Sequence, residues 1–354
     1  MPLGLLLGGC DVARPDPPSA TGPALHVIAA FPADGCGVGS DPDCAPVPTN
    51  ASLSFRFDRF LNPATISRQA IRVYTGDPNT SPGYPFEVAY DPIERVVEYR
   101  MPLGYAFAPH TLYQMELLVP TKPTGFGIRA FDGAPLAEAD VELKTSFFTA
   151  DAPVEVLADP TPTCDEVVKG VFSDQLGGCA GGQCHRSYGN QLGSMDLLGA
   201  PYGLWLDGST NVANSAIGRI AHQTEVGDES GGVPAEKPAR FGVRMALIDP
   251  SNPGESYLLY KLLRNPNNFG PCPDAAQAKS EVSPFCVDDL VGVSTHQFLP
   301  LERGQNIEPS AEELSRLREW FVRGEPMPLI GDGLGLAGLR AVSQFIAAGA
   351  DCGQ

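Results

Sequence analysis

The chain has 354 residues, enough for about two domains, and 43% of them are hydrophobic, which excludes wholesale disorder. Forty-two acidic residues against 24 basic ones leave a net charge of −18, a surface that repels phosphate backbones and excludes nucleic acid as a partner. With 39 glycines and 35 prolines, the chain reads as loop-rich and not as a helix bundle or coiled coil.

The opening stretch, MPLGLLLGGCD, places Leu3, Leu5, Leu6 and Leu7 ahead of Gly8, Gly9 and Cys10. It resembles the lipobox of bacterial lipoproteins, although the positively charged stretch of a secretory signal is missing. The resemblance implies lipid modification of Cys10, followed by a Pro/Asp-rich tether from Asp11 to Gly22. No later apolar run reaches the roughly 18 residues of a membrane helix. Residues 1–24 are therefore read as signal remnant and tether. The expected location is the cell envelope, lipid-anchored at the outer membrane or in the periplasm.

Residues 25–150 read as β structure. SLSFRFDR alternates strictly, with Leu53, Phe55 and Phe57 on one face and Ser54, Arg56 and Asp58 on the other. IRVYTG, ERVVEYRM, LYQMELLVP and VELKTSFFTA add short runs between turn-forming stretches, the pattern of a β-sandwich. The phrases FDRFLNPATI, YAFAPHTLYQMEL, FDGAPL and TSFFTA, in that order, resemble bacterial Ig-like domains of secreted and surface proteins. That resemblance implies a spacer without chemistry of its own, holding the rest of the chain off the membrane.

A Pro/Asp-rich linker, residues 151–162, marks a change of character from strands to helices. Thr163 and Glu166 form a capping box ahead of an apolar stripe of Val167, Val168, Val171 and Phe172. Asn252, Pro253 and Glu255 start a second helix through SYLLYKLL. Ser310 with Glu313 starts a third, carrying Leu314, Leu317, Trp320 and Phe321 inward. The fourth, LRAVSQFIAAG, buries Leu339, Val342 and Ile346 and stops at Gly349. Residues 163–354 are thus expected to form a small-core, loop-rich all-α domain of the kind that leans on a cofactor or disulfides.

Within it, GGCAGGQCHRSYG puts Cys179, Cys184 and His185 within seven positions. Covalent haem attachment needs two thiols for the two vinyl groups and a histidine directly after the second cysteine, so that its ring meets the iron. The usual spacing is CxxCH; here two extra residues must bulge, and Gly181 and Gly182 supply the backbone freedom. The alternative is a tight Cys179–Cys184 disulfide without haem. Zinc is disfavoured, because two of the ligands are adjacent and no second pair of usual spacing follows.

The succession VVKGVFSDQLGGCAGGQCH, MDLLGAPYGLWL, ALIDPSNPGESYLLYKL, LPLERG, EELSRLREWFVRG and LRAVSQFIAAGADC resembles the cytochrome c-like domains of myxobacterial lipoproteins over residues 163–352. The resemblance implies thioether bonds at Cys179 and Cys184 and His185 as proximal iron ligand. Where that family places a Met-Pro pair, this chain has Leu299-Pro300, and leucine cannot bind iron. His296 is the favoured second ligand, Met327 the alternative and His222 a weaker one; five-coordinate iron is also open. Lipid on Cys10 and haem on two thiols leave six cysteines for disulfides Cys36–Cys44, Cys272–Cys286 and Cys164–Cys352.

The fold class expected is multidomain, an all-β Ig-like sandwich followed by a loop-rich all-α cytochrome c-like domain. The function expected is that of an extracytoplasmic, lipid-anchored c-type haem protein transferring electrons to a redox partner protein, with its anchor as its one membrane contact and no catalytic reaction. The alternative is a haem-free, disulfide-stapled surface lipoprotein with a structural or adhesive role. No GxSxG, Walker-type loop or HExxH is found.

Overall fold

The computed structural model describes residues 22–38, 44–80, 83–119, 127–154, 161–172, 204–221, 245–269, 309–320, 322, 327 and 334–353. Seven strands come first: β1 (Val27–Phe31), β2 (Leu53–Phe57), β3 (Ile71–Tyr74), β4 (Glu87–Asp91), β5 (Val96–Arg100), β6 (Leu112–Leu117) and β7 (Lys144–Phe148). They form one sheet in the order β1-β2-β5-β4 and another in the order β3-β6-β7, with every pair antiparallel. Four strands facing three in this sequence order is the arrangement of constant-type immunoglobulin sandwiches.

Alternation explains the inner layer. Leu53, Phe55 and Phe57 of β2 are fully buried with Val97 and Tyr99 of β5, and Val73, Met115 and Phe147 meet them from the other sheet. Phe107 lies among Tyr84, Tyr113 and Phe147 at ring separations of 5.4, 5.0 and 5.6 Å, so one cluster of rings fills that end of the sandwich. The opposite face of β2, polar in the sequence, is covered too. Ser54 is fully buried, Arg56 pairs with Glu94 at 3.5 Å, and Glu94 takes Arg340 of the C-terminal helix at 2.7 Å.

Five helices follow in the described residues: α1 (Cys164–Val167), α2 (Ser209–Ser215), α3 (Tyr257–Leu263), α4 (Ala311–Trp320) and α5 (Gly335–Ala347). The capping box at Thr163 is present, and α1 runs on into a π-helical turn over Val168–Phe172. Leu314, Leu317, Leu339, Val342 and Ile346 are buried as their spacing requires, and α5 ends before Gly349, whose φ of +104° suits glycine. The side chains of Trp320 and Phe321 lie outside the described residues.

The expectation of a sandwich followed by a separate loop-rich all-α cytochrome c-like domain is corrected by this arrangement. The described helices are short, from 4 residues in α1 to 13 in α5. The apolar cluster they build is completed by Phe60, Ile93 and Phe131 of the sandwich loops. Helices of one to three turns expose too much of their apolar stripes to close a core alone, and the sandwich supplies the missing wall. The hairpin tip between β4 and β5 makes that possible: Asp91 accepts from the Ile93 amide at 2.9 Å, and Arg95 takes a left-handed φ of +54°, so Ile93 and Glu94 project toward the helices.

Gly22 and Pro23 also lie at the junction between sandwich and helices. The Gly22 amide donates to Asp132 at 2.8 Å and the Pro23 carbonyl accepts from Arg59 at 2.6 Å, both at the junction itself.

Candidate functional site

Cys10, Cys179, Cys184, His185, His222, Cys272, Cys286, His296 and Leu299 lie outside the described residues. What the structure does describe is the element that leads into the Cys179–His185 motif. Helix α1 opens with Thr163 Oγ1 accepting the Glu166 amide at 3.3 Å, while Glu166 Oε2 accepts the Thr163 amide at 2.7 Å. That reciprocal bond holds the Glu166 carboxyl below its ordinary range, chiefly through the Thr163 backbone N–H. The neighbouring Asp165 accepts from Ser209 Oγ, with Lys169 3.6 Å away, and its carboxyl is lowered by the Ser209 bond and then by the Lys169 charge.

A disulfide from Cys164 to Cys352 joins the first residue of α1 to the C-terminal segment, and a second disulfide links Cys36 to Cys44. Val167, Val171 and Phe172 press into the helical core below. The last described residue of this element, Phe172, precedes Cys179 by seven positions. The element through Phe172 is therefore fixed by a cap, a covalent bond and an apolar stripe.

Met327, the alternative iron ligand of the sequence reading, has its side chain partly buried against the helical core. Its carbonyl accepts from Asn268 Nδ2 at 3.0 Å. Asn268 is fully buried, and its remaining bonds run to the Leu262 carbonyl at 2.8 Å and from the Leu334 amide at 2.7 Å. One amide side chain thus ties Met327 to the end of α3 and the start of α5.

The structure also brings together a charge cluster that sequence reasoning missed. Arg59 Nη2 lies 2.7 Å from Asp132 Oδ2, Arg59 Nε lies 3.0 Å from Glu313 Oε2, and Arg316 Nη1 lies 3.6 Å from Asp132. The Phe60 amide donates to the other Glu313 oxygen at 2.9 Å. Burial raises the Glu313 carboxyl against the pull of Arg59, whereas Arg59 is raised because its two carboxylate partners outweigh its own desolvation. Both carboxylates are engaged, so the cluster holds the junction and offers no free acid or base. The signal available in the sequence is the adjacency of charge and aromatic in Arg59-Phe60 and Phe131-Asp132, with Glu313 already marked by its cap position.

Among the described residues, no three His, Cys, Asp or Glu side chains gather as metal ligands. A groove lined by Thr210, Asn214, Ile217, Arg219 and Gly353 is shallow, and Arg219 Nε donates to the Asn214 carbonyl at 3.0 Å. No helix among the described residues is long and apolar enough to cross a membrane.

No family model matches the chain, and no curated protein matches it. Among solved structures it is similar in part to an L,D-transpeptidase from Mycobacterium smegmatis, at 14% identity and a TM-score of 0.22, over 36% of this chain and 41% of that one. It is similar to the S-layer protein rSbsC(31-844), at 11% identity and a TM-score of 0.24, over 37% of this chain and 14% of that one. The N-terminal part of the bacterial S-layer protein SbsC gives 9% identity and a TM-score of 0.24, over 36% of this chain and 24% of that one. The chain thus spans less than half the length of each of these proteins, and likenesses of this size carry no statement about activity.

Proposed function

We propose that this chain is an extracytoplasmic, lipid-anchored protein that carries a covalently attached c-type haem and passes electrons to a redox partner protein. The observation that carries the reading is the Cys179-x4-Cys184-His185 motif, with His185 directly after the second thiol. The reading rests on this attachment chemistry and not on the fold of any cytochrome. Cys179 and Cys184 would hold the group through two thioether bonds, each formed by addition of an S–H across a vinyl C=C with no by-product. His185 would hold the iron through its imidazole, and His296, or else Met327, would supply a second ligand. The haem, when bound, supplies a one-electron couple for outer-sphere transfer. The described residues contribute a capped and cross-linked α1 that precedes Cys179 in the chain and a Met327 segment fastened by Asn268. A second His ligand would lower the potential and a Met ligand raise it.

The disulfides support an oxidising compartment, where such bonds persist. The test is expression with a signal peptide and the cytochrome maturation machinery. The expected product is red, with a Soret band and haem staining that survive a denaturing gel, and Cys179→Ala with Cys184→Ala removes both. A colourless product with Cys179 joined to Cys184 by mass analysis overturns the proposal in favour of the haem-free stapled lipoprotein.

A further inference from the structure

Residues 22–27 run alongside the segment that leads into β7. The Gly22 amide donates to Asp132 Oδ2 at 2.8 Å, the Leu25 amide to the Pro135 carbonyl at 2.9 Å, and the Ala137 amide back to the Leu25 carbonyl at 2.8 Å. Leu25 pairs with Leu136 in a parallel bridge, and both side chains are buried in the sandwich core. Asp140 closes the pairing with both oxygens: Oδ2 accepts the Val27 amide and Oδ1 meets His26 Nδ1, each at 2.9 Å. Residues 22–27 are thus a strap laid against residues 132–140.

The two ends of the strap differ in chemistry. At Gly22 the charge of Asp132 is matched by Arg59 at 2.7 Å and Arg316 at 3.6 Å, guanidinium groups that keep their protons at any ordinary pH. At His26 the matching group is a half-exposed imidazole, which gains or loses its proton near neutrality. Two carboxylates bear on that ring: Asp140 through its bond, and Asp58, whose Oδ1 accepts the His26 amide at 2.8 Å. β1 itself has no ionisable side chain, and the other charged groups on the Asp140 segment are Glu138, Glu142 and Lys144. A protonated ring serves both anions. Without the proton it can still donate from Nδ1, but Asp140 loses its counter-charge and Asp58 is left with Arg59.

We propose that the His26–Asp140 clasp makes residues 22–27 a pH-sensitive strap, closed while His26 is protonated and opening more often as pH rises through neutrality. The sign follows from the bond. Asp140 raises the His26 pKa above 6.5, so the proton favours the closed form; that preference is complete below pH 6.5 and lost above the folded value. Opening starts at the His26 end, because the guanidinium-matched Gly22 end does not titrate in that range. It bares Leu25 and Leu136 and frees the start of β1, an edge strand of its sheet. The device depends neither on haem nor on a lipid anchor.

Amide exchange of the full chain at pH 6 and pH 8, read residue by residue and corrected for base catalysis, tests this. The amides of Leu25, Val27 and Ala137 are expected to exchange faster than those of β5, as local opening requires. Their protection is expected to fall about three- to tenfold between the two pH values, a pKa shift of one unit being about tenfold in an equilibrium. In His26→Gln protection of these amides is expected to be low and the same at both. Asp140→Asn, which keeps an acceptor for Val27, is expected to flatten the pH dependence in the same way. Protection at Leu25 and Ala137 equal to that of β5, protection that pH leaves unchanged, or a native pH dependence in either variant overturns the proposal.

Discussion

The Glu313 carboxylate lies against Arg59, 254 residues earlier in the chain, with Oε2 3.0 Å from Nε. Its other oxygen takes the Phe60 amide at 2.9 Å. Helix α4 is thereby fastened to the loop that follows β2, with both partners almost fully buried. Glu313→Ala leaves Arg59 short of a partner and the Phe60 amide unsatisfied, which is expected to cost about 3–5 kcal/mol. Glu313→Gln keeps an acceptor for Phe60 and should cost less. Urea unfolding of both variants checks this; a loss under about 0.5 kcal/mol for the alanine variant would show that the contact does not hold the junction.

A second prediction concerns close approach. Gly254 lies where a Cβ would stand 2.6 Å from the Tyr90 ring, and Tyr90 is itself fixed by accepting the Leu61 amide at 3.0 Å. Gly254→Ala must displace a buried aromatic at the sheet edge and is expected to destabilise by about 1–3 kcal/mol. Calorimetry reads this as a lowered Tm; an unchanged Tm would mean that the edge yields freely.

A third rests on the cross-link. The Cys164–Cys352 disulfide closes a segment with a sequence separation of 188, worth about 5 kcal/mol in the chain-entropy account. Replacing both cysteines by serine is expected to lower the denaturation midpoint and to raise amide exchange in α1, which leads into Cys179. Exchange in β2 and β5 should change least. Uniform protection across α1 in the variant would show that the capping box and the apolar stripe suffice.

The fourth is a pH dependence. His26 Nδ1 lies 2.9 Å from Asp140 Oδ1, and that bond raises the His26 pKa above its ordinary 6.5. A raised histidine binds its proton more tightly when folded, so its stabilisation is complete below pH 6.5 and fades as pH rises through the folded value. NMR titration of the ring should give a pKa above 6.5 that falls back in Asp140→Asn. A native value at or below 6.5 contradicts the contact.

Much of the sandwich was legible in the sequence because a half-buried strand writes its pattern locally. Leu53, Phe55 and Phe57 alternate, and each faces the core. The capping box at Thr163 was legible for the same reason, being made by residues three apart. The junction was not. Arg59, Asp132 and Glu313 are distant in sequence, and each has an ordinary local role in a strand end, a turn or a helix cap. The cover over the polar face of β2 was not legible either, since alternation marks which residues are polar and not whether water or a partner such as Glu94 meets them. The all-α domain failed because amphipathic spacing identifies helices but not the wall they pack against. That wall is Phe60, Ile93 and Phe131.

The central claim, covalent haem at Cys179 and Cys184, is tested most directly by mass spectrometry of the intact chain matured with the cytochrome assembly machinery. The account predicts one added haem mass, located by peptide mapping to the fragment containing Cys179, Cys184 and His185, with a matching pyridine haemochrome spectrum. A chain without that mass, two hydrogens lighter through a Cys179–Cys184 bond, would contradict it.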